Sequence, residues 1–288
     1  MTPREQGFLL LTGMLGDPER KALTVAQFRT LATRVQGMNK PTEDRELTEK
    51  DLIALGYDRE LSQRILHLLS QHEQLQWYLQ SGKRKGCVPV TRLGSEYPQA
   101  LRVKLGLNAP GSLWTKGDLS FLKNPCISLV GSRDLLSENH AFAKALGMQA
   151  AKQGYTLVSG NARGADRTAQ NSCLAHGGTV ISIVADALEN YAPHKNILYI
   201  SEGGFDIGFS AQRAHSRNRL IHCLGQKVFV AQSNLRKGGT WTGTVQNLQH
   251  RWTPVFCFDD RSESMGSFCA MGAVPICTAD LDDIDNLM

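Results

Sequence analysis

The sequence predicts an α/β protein with a doubly wound, mostly parallel sheet that follows a small all-helical region. From about residue 126 onward, short apolar runs alternate with helical stretches, which is typical of a parallel sheet covered by helices. Before residue 82, apolar residues recur at helical spacing instead. The 288 residues, of which 41% are hydrophobic and 20% charged, suffice for one large domain or two smaller ones.

Residues 1–82 carry the start signals of helices. Thr48 and Asp51 have the spacing of a capping box, and apolar residues follow them. Gly56 interrupts this pattern, and a second helix is predicted over residues 60–79. A helix, a glycine turn and a helix resemble the SAM or helix-hairpin-helix arrangement. Such modules often contact a DNA backbone, and equally often they serve only for packing.

A basic segment, SGKRK at residues 81–85, marks the predicted boundary of the helical domain. Residues 83–125 are predicted to be a linker and a lead-in to the sheet, with a helix that opens at Tyr97 and runs to about Leu105 and a short strand at Leu113 and Trp114. Three adjacent cations in the linker could follow a phosphate backbone, although a solvated linker is the simpler interpretation.

Residues 126–288 are predicted to form the sheet, its covering helices and an acidic C-terminal end. The predicted strands cover residues 127–130, 156–158, 179–184, 227–231, 255–258 and 273–277. The predicted helices cover residues 136–153, 165–176, 211–224 and 240–250. Because ligands of such sheets bind outside the carboxyl ends of the strands, the loops after the strands are candidate binding sites.

Positive charge is concentrated in one part of the sequence. The net charge is +5, and residues 207–258 contain seven basic residues without any Asp or Glu. Residues 259–288 contain seven acidic residues and one basic residue. This distribution is typical of a protein that binds a polyanion. A partly solvated face with chance depletion of acids is the alternative.

The cysteine pattern and the hydropathy indicate a cellular location. The seven cysteines are scattered without a CxxC pair, so we expect reduced thiols and neither disulfides nor zinc ligands. No stretch reads as a signal peptide, and none approaches the roughly 18 to 20 apolar residues of a membrane span. We therefore expect a cytoplasmic protein without a metal site or contact with a membrane.

Three loops after predicted strands combine small residues with cations. Backbone N–H groups of such loops bind phosphate oxygens, Arg and Lys supply charge, and glycine lets the backbone approach the ligand. The second of these loops lies in the segment TLVSGNARGADRTAQ, which opens from a strand onto a helix. The predicted anion-binding residues in the three loops are Gly131, Ser132, Arg133, Ser159, Gly160, Asn161, Arg163, Gly164, Asp166, Lys237, Gly238, Gly239 and Thr240.

The helix predicted over residues 211–224 adds Arg217, Asn218 and Arg219 to the candidate site. Arginine binds phosphate with two parallel hydrogen bonds, and asparagine can reach sugar or base edges. The alternative is internal salt bridging, for which residues 207–258 supply no acidic partner. Asp166 has two interpretations as well, a helix cap or a general base.

Motifs of common nucleotide-handling enzymes do not occur in the sequence. GxGxxG, GxxxxGK[ST] and GxSxG are all missing, which argues against a dinucleotide site, a P-loop and a nucleophile elbow. The histidines are spread over different predicted elements. We therefore expect no catalytic site.

In order and spacing, the motifs resemble those of the DNA-processing protein A family, also called DprA or Smf, from about residue 97 to residue 275. The matching segments are VGSR at 130–133, SGxAxGxD at 159–166, RNRxI at 217–221 and the glycine–threonine loop at 238–240. The resemblance implies an extended Rossmann-like domain that binds single-stranded DNA and loads a RecA-type recombinase in natural transformation and recombination. It also implies a homodimer, no cofactor, and a DNA groove lined by Arg133, residues 159–164, Arg217, Asn218 and Arg219.

The sequence departs from the family pattern at three positions. Gln170 stands where the family usually has histidine, Gln232 where it has glutamate, and Gly238 where it has serine. Two alternatives stay open. One is an enzyme of the phosphoribohydrolase (lysine-decarboxylase-like) group, whose chemistry needs a glutamate after the loop at 238–240. The other is a nucleotide sensor without catalysis in a defence system.

Overall fold

The computed structural model describes residues 1–38 and 46–287. Five helices come first, and they are α1 (Pro3–Thr12), α2 (Val25–Gln36), α3 (Glu49–Ala54), α4 (Arg59–Ser70) and α5 (His72–Arg84). The later helices are α6 (Gln99–Leu105), α7 (Ser137–Lys152), α8 (Ala165–Ala175), α9 (Ala211–Leu224), α10 (Gly238–His250) and α11 (Glu263–Ala270). The strands are β1 (Val88–Thr91), β2 (Ser112–Lys116), β3 (Cys126–Val130), β4 (Thr156–Ser159), β5 (Thr179–Val184), β6 (Ile197–Glu202), β7 (Val228–Val230), β8 (Val255–Phe258) and β9 (Val274–Ile276).

The nine strands form one sheet in the order β1-β2-β6-β5-β4-β3-β7-β8-β9. The seven strands from β6 to β9 in this order are parallel, and β1 and β2 pair antiparallel at one edge. The chain runs outward from β3 to β6, then returns through α9 to β7 on the opposite side of β3. The predicted doubly wound, mostly parallel sheet is therefore confirmed. The reversal between β3 and β7 leaves a crevice where a ligand can bind.

The central strands are mostly apolar because helices cover both faces of the sheet. On one face, Ile127 and Leu129 of β3 pack in a cluster with Phe142 of α7. On the other face, Val130 of β3 packs in a cluster with Leu220 of α9. Neighbouring residues of one strand thus enter different cores, which is the period-two pattern of a buried strand.

The N-terminal helices have a core of their own and also pack against the sheet. Thr48 and Asp51 form the predicted capping box at the start of α3. Leu9 of α1 and Tyr78 of α5 share a buried cluster with Trp114 of β2. The helical region is therefore joined to the antiparallel edge of the sheet by apolar contacts.

The helix predicted over residues 60–79 is two helices in the structure. The helix is interrupted at Gln71, whose φ is −86° and ψ is 37°, and α5 continues through Arg84. Most of the basic segment at 81–85 is therefore helix. The reason is the buried face formed by Leu75, Tyr78 and Gly82, which has helical spacing, while cations are favourable at a helix C-terminus.

Three elements were not predicted: β1, β6 and α11. The segment of β1 reads VPVT, and proline is tolerated there because β1 is an edge strand. Helix α11 has only eight residues and contains a glycine, so its helical signal is weak. The division into residues 1–82, 83–125 and 126–288 stays a prediction.

All seven cysteines are free thiols. Burial raises the pKa of several of them, and that of Cys173 to about 12. In the parts of the chain that the structure describes, no helix has both the length and the apolar character needed to cross a membrane.

Candidate functional site

The three predicted loops lie side by side because they follow three adjacent strands, β4, β3 and β7. Between them and α9 lies a cleft of about 580 Å³. Its lining consists of Val130, Gly131, Ser132, Arg133, Asp134, Ala162, Asp166, Phe209, Ala211, Ala214, His215, Arg217, Asn218, Ile221, Asn234, Lys237, Gly238, Gly239 and Thr240.

The loop after β3 and the start of α8 are in direct backbone contact. The carbonyl oxygen of Ser132 accepts a hydrogen bond from the N–H of Ala165 at 3.1 Å, and the N–H of Ser132 donates to the carbonyl of Gln232 at 2.9 Å. Gly164 has a φ of +85°, and a Cβ there would lie 2.4 Å from the carbonyl oxygens of both Ser132 and Arg133. Glycine is therefore required at position 164 both by the backbone conformation and by the close approach of the two loops.

Arg217 lies beneath the loop after β4 and exposes only 9% of its surface. Its Nη1 donates hydrogen bonds to the carbonyl oxygens of Gly160 and Ile183, the latter at 2.6 Å. A Cβ on Gly160 would lie 1.8 Å from Nη1. The guanidinium thus occupies the space that a side chain at position 160 would need, and it supports the loop from below.

Asp166 is buried and bonded to the same loop. Its carboxylate accepts hydrogen bonds from the N–H groups of Gly160 at 3.0 Å and Ala162 at 3.2 Å. Burial raises the pKa of the Asp166 carboxyl, while the Arg217 guanidinium and these two donors act in the opposite direction. Burial lowers the pKa of Arg217, and Asp166 opposes that shift. The two buried charges stabilise each other and fix the loop between them.

The loop before α10 is held by Asn218. The Nδ2 of Asn218 donates to the carbonyl oxygen of Gly239 at 3.1 Å, and a Cβ on Gly239 would lie 2.7 Å from that nitrogen. Lys237 is the N-cap residue of α10 and makes no side-chain cap bond. The first N–H groups of α10 therefore have no side-chain acceptor at this position, and the positive end of the helix dipole lies at the cleft.

The charges in the cleft do not cancel. The negative charge of Asp166 interacts with the positive charge of Arg217, and Asp134 forms an exposed ion pair with Arg163 at 2.8 Å. Arg133 and Lys237 are exposed, and among the described residues neither side chain has a hydrogen bond or an ion pair. Two cations are therefore available to an anionic ligand.

Several predicted residues lie outside the cleft lining. Arg219 donates to Glu202 at 2.5 Å and to the carbonyl of Asn108 at 2.8 Å, so the internal ion pair considered for this helix exists at Arg219. Ser159 is buried, and its hydroxyl accepts a hydrogen bond from Gln170 at 2.6 Å. The predicted residues outside the lining are Ser159, Gly160, Asn161, Arg163, Gly164 and Arg219.

The cleft also includes residues that were not among the predicted site residues. They are Asp134, Ala162, Phe209, Ala211, Ala214, His215 and Asn234, together with the strand and helix residues Val130 and Ile221. Four of the additions, Phe209, Ala211, Ala214 and His215, come from the start of α9 and the segment before it, within the stretch free of acids. Across the two described ranges, no group of three or more His, Cys, Asp or Glu side chains is placed to hold a metal ion.

The sequence matches a known family over most of its length. The family model described as DNA recombination-mediator protein A matches residues 89–281. DNA processing protein DprA of Streptococcus pneumoniae is 32% identical over 147 residues, which are 47% of this chain and 51% of that protein. Protein Smf of Escherichia coli K12 is 28% identical over 153 residues, which are 49% of this chain and 41% of that protein. The matches thus span about half the length of these curated relatives.

Solved structures share the fold. DprA of Streptococcus pneumoniae superposes with a TM-score of 0.68 at 22% identity, covering 90% of this chain and 96% of that one. DNA processing protein A of Helicobacter pylori, solved to study its single-stranded DNA binding mode, gives a TM-score of 0.59 at 22% identity, covering 68% and 94%. The family model covers well over half of the 288 residues. The chain therefore belongs to the DNA recombination-mediator protein A family.

Proposed function

We propose that this protein binds single-stranded DNA in the cleft at the ends of β3, β4 and β7, and that it acts as a recombination mediator without catalysing a reaction. The observation that carries the proposal is the pair of exposed cations, Arg133 and Lys237, beside the N-terminus of α10. Membership in the DNA recombination-mediator family supports it, as does the single-stranded DNA binding of the Helicobacter pylori relative.

In this proposal the residues of the cleft have two roles. Arg133, Lys237 and the first N–H groups of α10 contact phosphate oxygens, because cations and a helix N-terminus both attract anions. Arg217, Asp166 and Asn218 position the loops through the hydrogen bonds described above. Affinity then comes from the backbone of the strand, so sequence preference is small.

Two finer features belong to the same proposal. We infer that the bound strand is handed to a RecA-type recombinase during natural transformation or recombination, and that the working form is a homodimer. The description of the family as recombination mediators supports the first inference. Analytical ultracentrifugation tests the dimer. Assembly of recombinase on DNA precoated with single-strand binding protein tests the mediator role.

A binding assay separates this proposal from the two alternatives. Fluorescence anisotropy is measured for a single strand, a duplex of the same sequence and mononucleotides, from about 50 to about 200 mM salt. The proposal predicts that the single strand binds most tightly and that affinity falls linearly on a log–log plot, because phosphate contacts release counterions.

Two outcomes contradict it. Tight binding of mononucleotides, with an affinity that does not change with salt concentration, favours the nucleotide sensor. Release of free base from a nucleoside monophosphate, followed by chromatography, favours the phosphoribohydrolase.

A further inference from the structure

Phe209 is an aromatic side chain in the cleft that no motif accounts for. It lines the cleft with 60% of its surface exposed, and it forms no ring–ring pair with another described aromatic residue. Single exposed apolar residues are common on protein surfaces. What distinguishes Phe209 is that it shares its cleft with Arg133 and Lys237, whose side chains have no hydrogen bond or ion pair with the residues that the structure describes.

The backbone around Phe209 is held in place by Arg213. The guanidinium of Arg213 donates hydrogen bonds to the carbonyl oxygens of Ile207 and Gly208, the latter at 2.7 Å. On the other side, the hydroxyl of Ser210 accepts from the N–H of Arg213 at 3.1 Å and caps α9. The segment before α9 is thus bonded both before and after Phe209, so the ring is presented from a fixed backbone.

Two small apolar side chains share the cleft with Phe209. They are Ala211 and Ala214 at the start of α9. The cations and free N–H groups of the cleft come from other elements, the loop after β3 and the start of α10. A ligand that fits both the apolar residues around Phe209 and the cations with the N-terminus of α10 has a flat apolar face and a phosphate group in each repeating unit.

We propose that Phe209 is a stacking platform for one base of the bound strand, whose phosphates lie on Arg133 and Lys237. This inference rests on the proposed function. Every base has a flat π-face, so stacking on an aromatic side chain tolerates any sequence. In a duplex the faces of the bases are covered by their neighbours, whereas in a single strand one base can be displaced onto the ring. The platform therefore gives a physical reason for preferring single strands.

The test compares ordinary and base-free DNA. Binding of a fluorescent oligonucleotide, and of one with the same length built from abasic sugar-phosphate units, is measured for the wild type and for Phe209→Ala, Phe209→Trp and Val103→Ala. Val103 is 70% exposed on α6 and serves as the control for loss of an exposed apolar side chain. We expect Phe209→Ala to lose about 5- to 20-fold in affinity for the ordinary strand, at the lower end of the range for base–aromatic stacking. Its affinity for the abasic strand and its salt dependence stay those of the wild type.

Two further readouts support the platform. Phe209→Trp retains wild-type affinity, and DNA with bases quenches the added indole fluorescence more than abasic DNA does. Val103→Ala binds both strands as the wild type does.

The outcomes distinguish the two proposals. If the wild type does not bind single strands at all, the proposed function fails. If the wild type binds single strands and Phe209→Ala binds the ordinary and the abasic strand as tightly as the wild type does, the stacking platform is wrong and the proposed function stands. If Phe209→Ala weakens both strands by the same factor and shifts the sedimentation coefficient toward a smaller species, Phe209 lies in a contact between copies, and the platform is wrong as well.

Discussion

At the scale of single residues, Gly160 and Arg217 explain how the second loop obtains its shape. A glycine in a strand-end loop is usually read as freedom for the backbone or as access for a ligand. At Gly160 the missing Cβ instead leaves space for a buried guanidinium. Arg217 donates hydrogen bonds to the carbonyl oxygens of Gly160 and Ile183. The arginine of the RNRxI motif therefore contributes to the site by fixing the shape of the loop.

Gly160→Ala tests this interpretation. The new methyl group displaces the Arg217 guanidinium, which is buried and cannot move without breaking its two hydrogen bonds, so we expect a loss of about 1–3 kcal/mol in the free energy of unfolding. Urea denaturation measures the change. Gly266→Ala is the matched control, because Gly266 is exposed within α11 with open space around it, and alanine there stabilises the helix by up to about 1 kcal/mol. Equal stabilities of the two variants would contradict the interpretation.

Arg217→Met and Arg133→Ala should differ in their effects. Removing Arg217 takes its hydrogen bonds from the carbonyl oxygens of Gly160 and Ile183 and removes a positive charge near the buried Asp166, which costs about 1–3 kcal/mol of stability. Removing the exposed Arg133 changes stability by less than about 0.5 kcal/mol. We therefore expect thermal unfolding to shift strongly only in Arg217→Met, whereas DNA binding weakens in both. A normal melting temperature for Arg217→Met would show that Arg217 does not support the loop.

At the scale of elements, the contact between α9 and α10 contains a buried polar cluster. Both ring nitrogens of His222 lack a hydrogen-bond partner among the described residues, as do the Oγ1 of Thr244 and the Nδ2 of Asn247. The ring of His222 lies against Gly243 of α10, and a Cβ there would be 3.0 Å from Nε2. The same two helices carry Asn218 and the loop at 238–240, so this contact sets the position of one side of the cleft.

His222 makes stability depend on pH. Burial lowers its pKa to about 3, whereas an unfolded histidine has a pKa near 6.5. The neutral ring is favoured in the folded chain, so the contribution is fully present above pH 6.5 and is lost as the pH falls toward 3. We expect His222 to lower the free energy of unfolding by about 2 kcal/mol between pH 7.5 and pH 5.

Urea denaturation at the two pH values checks this expectation. In His222→Leu, most of the difference in the free energy of unfolding between pH 7.5 and pH 5 should disappear. His215→Leu, on the exposed side of the same helix, should keep the wild-type difference. An unchanged difference in His222→Leu would exclude His222 as the source.

The sequence predicted some elements well for a physical reason. Strands β3, β4, β5 and β8 are buried on both faces, so their residues are nearly all apolar and the strands are easily recognised. An edge strand such as β1 has half of its surface in water and carries a weaker pattern. The clustering of three strand-end loops followed from the rule for parallel sheets. The contacts of Arg217 and Arg219 could not be predicted from the acid-free stretch. Arg219 pairs with Glu202, which lies outside that stretch, and Arg217 donates to backbone carbonyl oxygens.

At the scale of the whole molecule, the N-terminal helices and the sheet share one buried cluster. Tyr78 of α5 packs at 5.1 Å between ring centroids from Trp114 of β2 and at 4.8 Å from Phe205. The hydroxyl of Tyr78 donates to Asp206 at 2.6 Å, and a Cβ on Gly82 would lie 2.6 Å from the ring of Trp114. These contacts join the helical region to the edge of the sheet through one buried cluster.

We therefore expect one cooperative unfolding transition for the whole chain. Trp114→Ala should lower its midpoint and cost about 3–5 kcal/mol, because a fully buried indole is removed from the shared cluster. Trp77→Ala, which removes a side chain that is 62% exposed on α5, should cost less than about 0.5 kcal/mol. Calorimetry and circular dichroism monitor both variants. Two separate transitions, of which Trp114→Ala shifts only one, would contradict this expectation.

The central claim is that the two exposed cations of the cleft, Arg133 and Lys237, contact the phosphates of a single strand. The most direct measurement is the slope of log affinity against log salt for single-stranded DNA, for the wild type and for the double variant Arg133→Ala with Lys237→Ala. Each lost phosphate contact should reduce the magnitude of the slope by about 0.7, so the double variant should differ from the wild type by about 1.4. Lys152→Ala, an exposed lysine at the end of α7, serves as the control and should keep the wild-type slope. Parallel slopes for the wild type and the double variant would contradict the claim.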